Sequence, residues 1–318
     1  MPEARAHHFL PVFYLKGFTD RQGDRAADEG VLWVYSKDKP ARKSKPSEEA
    51  HQRDLYSFKD SEGKRQNIEE GLSKIESDMA PIFRRVTDDS NEITSQEAAE
   101  IATFATVMWA RGPAAKDYLD QVATSAVKAS LLKRAADEAK FSADYEELRQ
   151  RDNLELSAEE ARRMILSGDW EITQNSPGYN LKMMFNAVEN LTPVLTAKAW
   201  DVLTISGNDF FCAGDNPVVT LVPKNGEATL GVGFGTPGVE VYFPLDSRNC
   251  FVASDRGLKE RLEVSPEEVR QINEILMLHA ARFAYARENN AAVEKFFKEW
   301  GCKIVKGKNA FLPPPTAP

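Results

Sequence analysis

Nowhere in its 318 residues does this chain run 18 apolar side chains together, the length a helix needs to cross a bilayer, so no membrane span is expected. Its first residues, Met1-Pro2-Glu3-Ala4-Arg5-Ala6-His7-His8, lack the apolar stretch and small-residue cleavage site of a secretory signal, and a cytoplasmic location is expected. Cysteine is scarce. Cys212, Cys250 and Cys302 are too few and too scattered for a disulfide frame or a Cys-x-x-Cys zinc site. Basic charge is outnumbered, 41 Lys and Arg against 49 Asp and Glu, and a net charge of -8 argues against a general nucleic-acid coat. The local exception, Lys37 to Pro46, holds five basic residues and one acid, but proline interrupts it and it reads as a solvated loop. Also absent are a Walker A loop, a Rossmann glycine fingerprint, an HExxH helix and a nucleophile elbow, and no repeat of fixed period is present. Gly231-Val232-Gly233-Phe234-Gly235 is glycine-rich, yet no helix follows to complete a phosphate site.

The content that is present is ordinary for a soluble globular protein: 42% hydrophobic, 28% charged, with enough length to bury a large core. The chain is organised around Ala199 to Ser254. Trp200 to Ser206 alternates and is β-branched, Gly207-Asn208 is turn chemistry and Asp209 to Ala213 is apolar again, a pattern that predicts a hairpin. Ala213-Gly214-Asp215-Asn216-Pro217 is a second turn, because Asp215 can bond its own downstream backbone and Pro217 holds Asn216 extended. Strands are expected again at Val218 to Val222, Val239 to Leu245 and Asn249 to Ser254, the first two separated by a Gly-rich stretch over 225–238. Short sequential strands imply an antiparallel sheet.

Elsewhere helices dominate. Apolar residues at Ile68, Leu72, Ile75, Met79, Ile82 and Val86 keep the helical period from Asn67 to Val86. Thr94 with Glu97 forms a capping box for a helix through Ala110, stopped by Gly112-Pro113. Residues 114 to 150 read as one or two charged helices, and Ser157 with Glu160 caps a short one ending near Gly168. Asn180 to Ala199 is helical, with Pro193 expected to kink or break it. Ser265-Pro266-Glu267-Glu268 opens a helix predicted to run to about Glu288, and a last helix covers Asn290 to Trp300. Val31 to Ser36 and Arg53 to Phe58 read as strands paired across the basic loop. Residues 7 to 18 are dense in aromatic and apolar side chains and should dock on the core rather than dangle. The expected architecture is α+β, an antiparallel sheet with a large helical section packed on it. Residues 1–310 are treated as a single domain with a helical subdomain about 114–170, followed by a Pro-rich tail, 311–318.

Six polar residues stand out. Glu69 and Glu76 lie nearly two turns apart on one helical face, in the same row as Leu72 and Met79, where a carboxylate is either partly desolvated or paired with a cation or metal. The alternative is the solvated edge of that stripe. Arg111 continues the apolar row Ile101, Phe104, Ala105 and Met108, and a guanidinium there needs a carboxylate, which Asp215 or Glu76 could supply, or an anionic ligand such as a phosphate. His8, in its aromatic segment, fits a ligand, a general base or the polar cap of a buried turn. Asp215 and Asn216 complete a turn by themselves, although sheets often present functional acids at such turns. His279 falls on the apolar row Val269, Ile272, Leu276, Phe283 and reads as a core histidine, while His7 and His51 carry no signal.

These residues carry a resemblance. His8-Phe9-Leu10-Pro11 followed by Tyr14-Leu15 and Phe18, then Leu32-Trp33-Val34-Tyr35, Glu69, Glu76, Arg111-Gly112-Pro113, Asp215-Asn216-Pro217, Phe243-Pro244-Leu245 and Asn273, resemble the bacterial domain-of-unknown-function 4238 family from residue 7 to about 287. The resemblance implies one evolutionary unit over 7–300 and places His8, Glu69, Glu76, Arg111, Asp215 and Asn216 in the family pattern. It implies no substrate.

Two functions from different classes follow. In a metal-dependent hydrolase acting on a phosphodiester or nucleotide, Glu69, Glu76 and Asp215 would bind magnesium, manganese or zinc. His8 would be ligand or general base there, and Arg111 with Asn216 would orient the phosphate of the nucleotide or nucleic acid. In a non-catalytic sensor or interaction protein, the same residues form a buried network that fixes how the N-terminal segment and the helices dock on the sheet.

Overall fold

The structure is a computed structural model that describes residues 6–20, 29–53, 55, 57–59, 65–172, 178–224 and 227–303. The expected tail 311–318, Asn225 and Gly226 of the Gly-rich stretch, and Asp54 and Tyr56 of the strand expected over Arg53 to Phe58 lie outside the described residues. From the N-terminus run β1 (Ala6–His8), α1 (Val12–Leu15), β2 (Leu32–Ser36), β3 (Arg42–Ser44), β4 (His51–Arg53), β5 (Ser57–Lys59) and β6 (Arg65–Asn67). Helices follow as α2 (Glu69–Val86), α3 (Ser95–Ala110), α4 (Pro113–Ala136), α5 (Glu138–Asp152), α6 (Ala158–Ser167) and α7 (Tyr179–Thr196). Then come β7 (Ala199–Thr204), β8 (Ala213–Gly214), β9 (Val219–Lys224), β10 (Glu227–Leu230), β11 (Glu240–Pro244), β12 (Asn249–Ser254) and β13 (Arg261–Glu263). The described chain closes with α8 (Pro266–His279), β14 (Phe283–Ala286) and α9 (Ala291–Trp300). The fold is α+β.

The main sheet has the order β10-β9-β11-β12-β7-β13, antiparallel throughout except for β13, which runs parallel to β7. Every residue of its central strand β12 is buried, because the sheet is covered on both faces. The period of two along each strand divides the side chains. Val202, Val241, Phe243, Phe251 and Ala253 face the N-terminal segment and α2 and α3, while Cys250 and Val252 pack with Val269, Ile272, Ile275 and Leu276 of α8.

The N-terminal segment docks as its composition predicts. Phe9, Leu10, Tyr14, Leu15 and Phe18 are buried, and the Tyr14 ring stacks on Phe243 of β11 with centroids 5.6 Å apart. Phe83 of α2 and Phe104 of α3 meet the same Phe243. The Tyr14 hydroxyl donates to the Pro244 carbonyl at 2.9 Å. Tyr14→Phe keeps the ring and strips that donor, so a loss of about 1–2 kcal/mol in chemical unfolding is expected; an unchanged midpoint would show that water satisfies the carbonyl.

Several sequence expectations are corrected. Ala199–Thr204 does not form a hairpin with residues 209–213: β7 pairs with β12 and β13. The Asn273 side chain of α8 brackets the rejected segment, donating to the Phe210 carbonyl at 2.7 Å and accepting the Cys212 amide at 2.8 Å, so those backbone groups are satisfied without a strand partner. β2 does not join the main sheet or pair with residues 53–58. It sits in a second sheet, β3-β2-β14-β8, and β4 pairs with β1 instead. Pro193 neither breaks nor ends α7, since it lies in the last turn on an exposed side where one lost backbone bond meets solvent. The helix predicted to reach Glu288 stops at His279, for a reason that belongs to the site.

Candidate functional site

Arg111 stands at the C-terminal end of α3, where its amide still bonds the Val107 carbonyl and Gly112-Pro113 turns the chain into α4. Its side chain is 2% exposed. The guanidinium donates through Nη1 to Glu76 Oε1 of α2 at 2.8 Å and through Nη2 to the backbone carbonyl of His8 in β1. The arginine guanidinium does not shed its proton, so the carboxylate answers its charge, and the carboxylate and the carbonyl together take two of its five N–H donors. Of the two carboxylates expected as its partner, Asp215 and Glu76, it is Glu76 that meets it, and with the His8 carbonyl the pair ties β1, α2 and α3 together.

His8 contributes to this junction through its backbone. Its half-buried ring lies 3.2 Å from the Ser47 carbonyl through Nε2 and meets His51 edge-on, centroids 5.4 Å apart, as the β1–β4 pairing places the two residues opposite each other. Glu69 opens α2, where a carboxylate suits the positive end of the helix. Seven residues at 1.5 Å rise put it about 10 Å along the axis from Glu76, too far for both to hold one ion.

Asp215 and Asn216 are engaged elsewhere. The Asp215 carboxylate is fully buried and accepts the amides of Ala281, Arg282 and Phe283 at 2.6, 2.9 and 3.2 Å. Burial pushes its pKa up to about 6, against the pull of those three donors. Asn216 Nδ2 donates to the His279 carbonyl at 3.2 Å. Together they close the end of α8: one side chain takes a last-turn carbonyl, the other takes the next amides, and the chain leaves as β14 beside β8. Gly214 lets β8 approach this corner, since a Cβ there would come within 3.3 Å of the Leu276 carbonyl. Thus the helix ends at His279 because a distant turn captures its terminus. His279 itself is buried, its Nδ1 on the Ile275 carbonyl at 2.9 Å, and burial lowers its pKa to about 4.

The expected metal shell of Glu69, Glu76 and Asp215 does not assemble. Glu76 faces Arg111, Asp215 faces three amides, and among the described residues no group of three or more His, Cys, Asp or Glu side chains is placed to hold a metal ion. The residues present do not fit that group. The catalytic set His8, Arg111 and Asn216 is only partly drawn together: His8 and Arg111 touch, and a side chain on Gly112 would come within 3.9 Å of Asn216 Oδ1, which is buried without a hydrogen-bond partner among the described residues.

Beside Arg111 lies a cleft of about 200 Å³, lined by Gln52, Leu55, Lys116, Asp117, Asp120, Leu181 and Met184 among others. Sequence reasoning missed Gln52, Lys116, Asp117 and Asp120. They come from β4 and α4, whose approach to Arg111 has no local periodic signal.

No curated protein and no solved structure matches the chain. Among family models, the one described as "Protein of unknown function (DUF4238)" matches residues 6–290, a span that includes β1, the Arg111 junction and the lock on α8. On that match the chain belongs to the DUF4238 family.

Proposed function

We propose that this chain is a non-catalytic sensor or interaction protein whose polar residues hold its N-terminal strand against the helices and the sheet. The observation that carries this reading is the commitment of Arg111 to Glu76 and the His8 carbonyl, since a buried cation engaged by two other elements is occupied in docking them. The use of Asp215 and Asn216 as a helix lock supports it. The family match over 6–290 supports treating residues 1–310 as one unit. A cytoplasmic setting belongs to the proposal, supported by three buried cysteines.

The cleft at Arg111 favours a second reading, a hydrolase acting on a phosphodiester or nucleotide, with the phosphate taking the place of Glu76 on the guanidinium; the metal first expected for it has no donor set among the described residues. Thermal shift with magnesium, manganese and zinc, each with and without inorganic phosphate, separates the two. The first reading expects a melting temperature unchanged by every ion. A rise of several degrees with phosphate that grows in Glu76→Ala, where the competing carboxylate is gone, transfers the site to the hydrolase.

A further inference from the structure

A cleft of about 440 Å³ opens between α8 and α9. Its floor is Phe210, Val269 and Met277, all buried, and its wall is Val293, Phe296 and Trp300 of α9, all half-buried. Asn273 fixes that floor, because its side chain bonds the Phe210 carbonyl and the Cys212 amide. Three aromatic rings thus line a preformed apolar bed. At the end of α9, Cys302 takes a left-handed φ of 62° and places its amide on the Met277 carbonyl at 3.0 Å. Lys303 then sets its Nζ 3.4 Å from the centre of the Trp300 ring. Met277 and Trp300 both line the cleft, so the turn that follows α9 is built on the cleft's own residues. Residues 304–318, which continue from that turn, lie outside the described residues.

We propose that this cleft is a docking site for a proline-rich segment and that its occupant is the chain's own Phe311-Leu312-Pro313-Pro314-Pro315. Chemistry selects the segment. A proline run favours the extended polyproline form, which has little entropy left to lose on binding and docks in aromatic-lined grooves. That form leaves its carbonyls without internal partners, and the Trp300 indole N–H is a donor on the cleft wall. Reach agrees with chemistry. The seven residues 304–310 span up to about 23 Å when extended, and α9, with 10 residues, is about 15 Å long, so Phe311 can reach any part of the wall. Charge agrees as well. Residues 304–318 carry Lys306 and Lys308 and no acid, while Asp209 and Glu299 stand at the cleft beside Lys295, and Arg270 is already paired with Glu267 and Glu274. Attachment then favours this occupant over a separate peptide, since a short connection gives an effective concentration on the order of 1 mM.

The test is fluorescence anisotropy of a labelled peptide with the sequence of residues 304–318, titrated with the full chain and its variants. Phe311→Glu with Leu312→Glu should empty the cleft. If the peptide binds near ~0.1 mM, an effective concentration of ~1 mM makes it bind that variant about tenfold more tightly than the parent. Adding Ala292→Arg, at an exposed residue of the cleft, should abolish the binding while circular dichroism and melting stay unchanged. A peptide that fails to bind the emptied chain overturns the proposal. So does equal affinity for parent and emptied chain, or binding that survives Ala292→Arg. Sedimentation velocity of the parent decides the source of the segment: a monomer supports the proposal, and self-association lost on Phe311→Glu with Leu312→Glu overturns it in favour of the segment of a second copy.

Discussion

Glu76→Ala is expected to cost about 3 kcal/mol of folding stability, because it strands the Arg111 guanidinium in a site where that side chain is 2% exposed. Converting both residues to leucine should cost less than Glu76→Ala alone, since the double change removes the charge together with its partner. The ordering matters more than the sizes. His8→Ala should fall below either, as Arg111 takes the backbone carbonyl of His8 and the ring gives up only its contacts with Ser47 and His51. Chemical unfolding of the four proteins measures this. Limited proteolysis of β1 adds the structural readout, because loss of the Arg111 bridge should release that strand before global unfolding. If instead Glu76→Ala melts with the parent and β1 stays protected, Arg111 is held by other contacts and is free to serve a ligand.

The second large effect is on pH. His279 has a folded pKa near 4 against 6.5 unfolded, so on acidification the unfolded chain takes the proton first and stability falls by about 3 kcal/mol between pH 6.5 and 4. Asp215 works in the opposite direction. Its folded pKa near 6 exceeds the ordinary 3.8, so acidification from pH 6 to 3.8 adds about 3 kcal/mol of stability that is lost again as pH rises through 6. The two therefore nearly cancel in the parent protein. Relative to the parent, His279→Gln should become about 3 kcal/mol more favourable at pH 4 than at pH 7, and Asp215→Asn should become less favourable by a similar amount. Denaturant unfolding at both pH values gives each difference, with every other titrating group common to parent and variant. A His279→Gln curve parallel to the parent would mean that His279 ionises in the fold as it does in the open chain.

Much of the site was legible as residues and little of it as partners. Arg111 was marked by its place at the end of an apolar row, and one partner, Glu76, was among those expected. The carbonyl of His8 was not, because a side-chain reading of His8 ignores its backbone. Glu69, Glu76 and Asp215 looked like one donor set while they were only hard carboxylates in a string. Helix rise separates the first two, and the three amides after α8 account for the third.

The sequence by itself determined the elements whose cause is local. The capping boxes at Thr94, Ser157 and Ser265 place the starts of α3, α6 and α8, alternation marks β7, and apolar runs mark β11 and β12. It also determined that the aromatic N-terminus is buried, since so much apolar area has no stable place in water. Tertiary structure alone decided which strands pair and where α8 ends. Residues 209–212 have strand composition, but Asn273 satisfies their backbone from another element. The pattern of α8 runs past His279, but Asp215 and Asn216, more than sixty residues earlier, capture its end. Hydrogen-bond donors and acceptors accept any partner of the right geometry, near or far in sequence, so a local pattern fixes which groups must be satisfied and only the folded chain fixes by what.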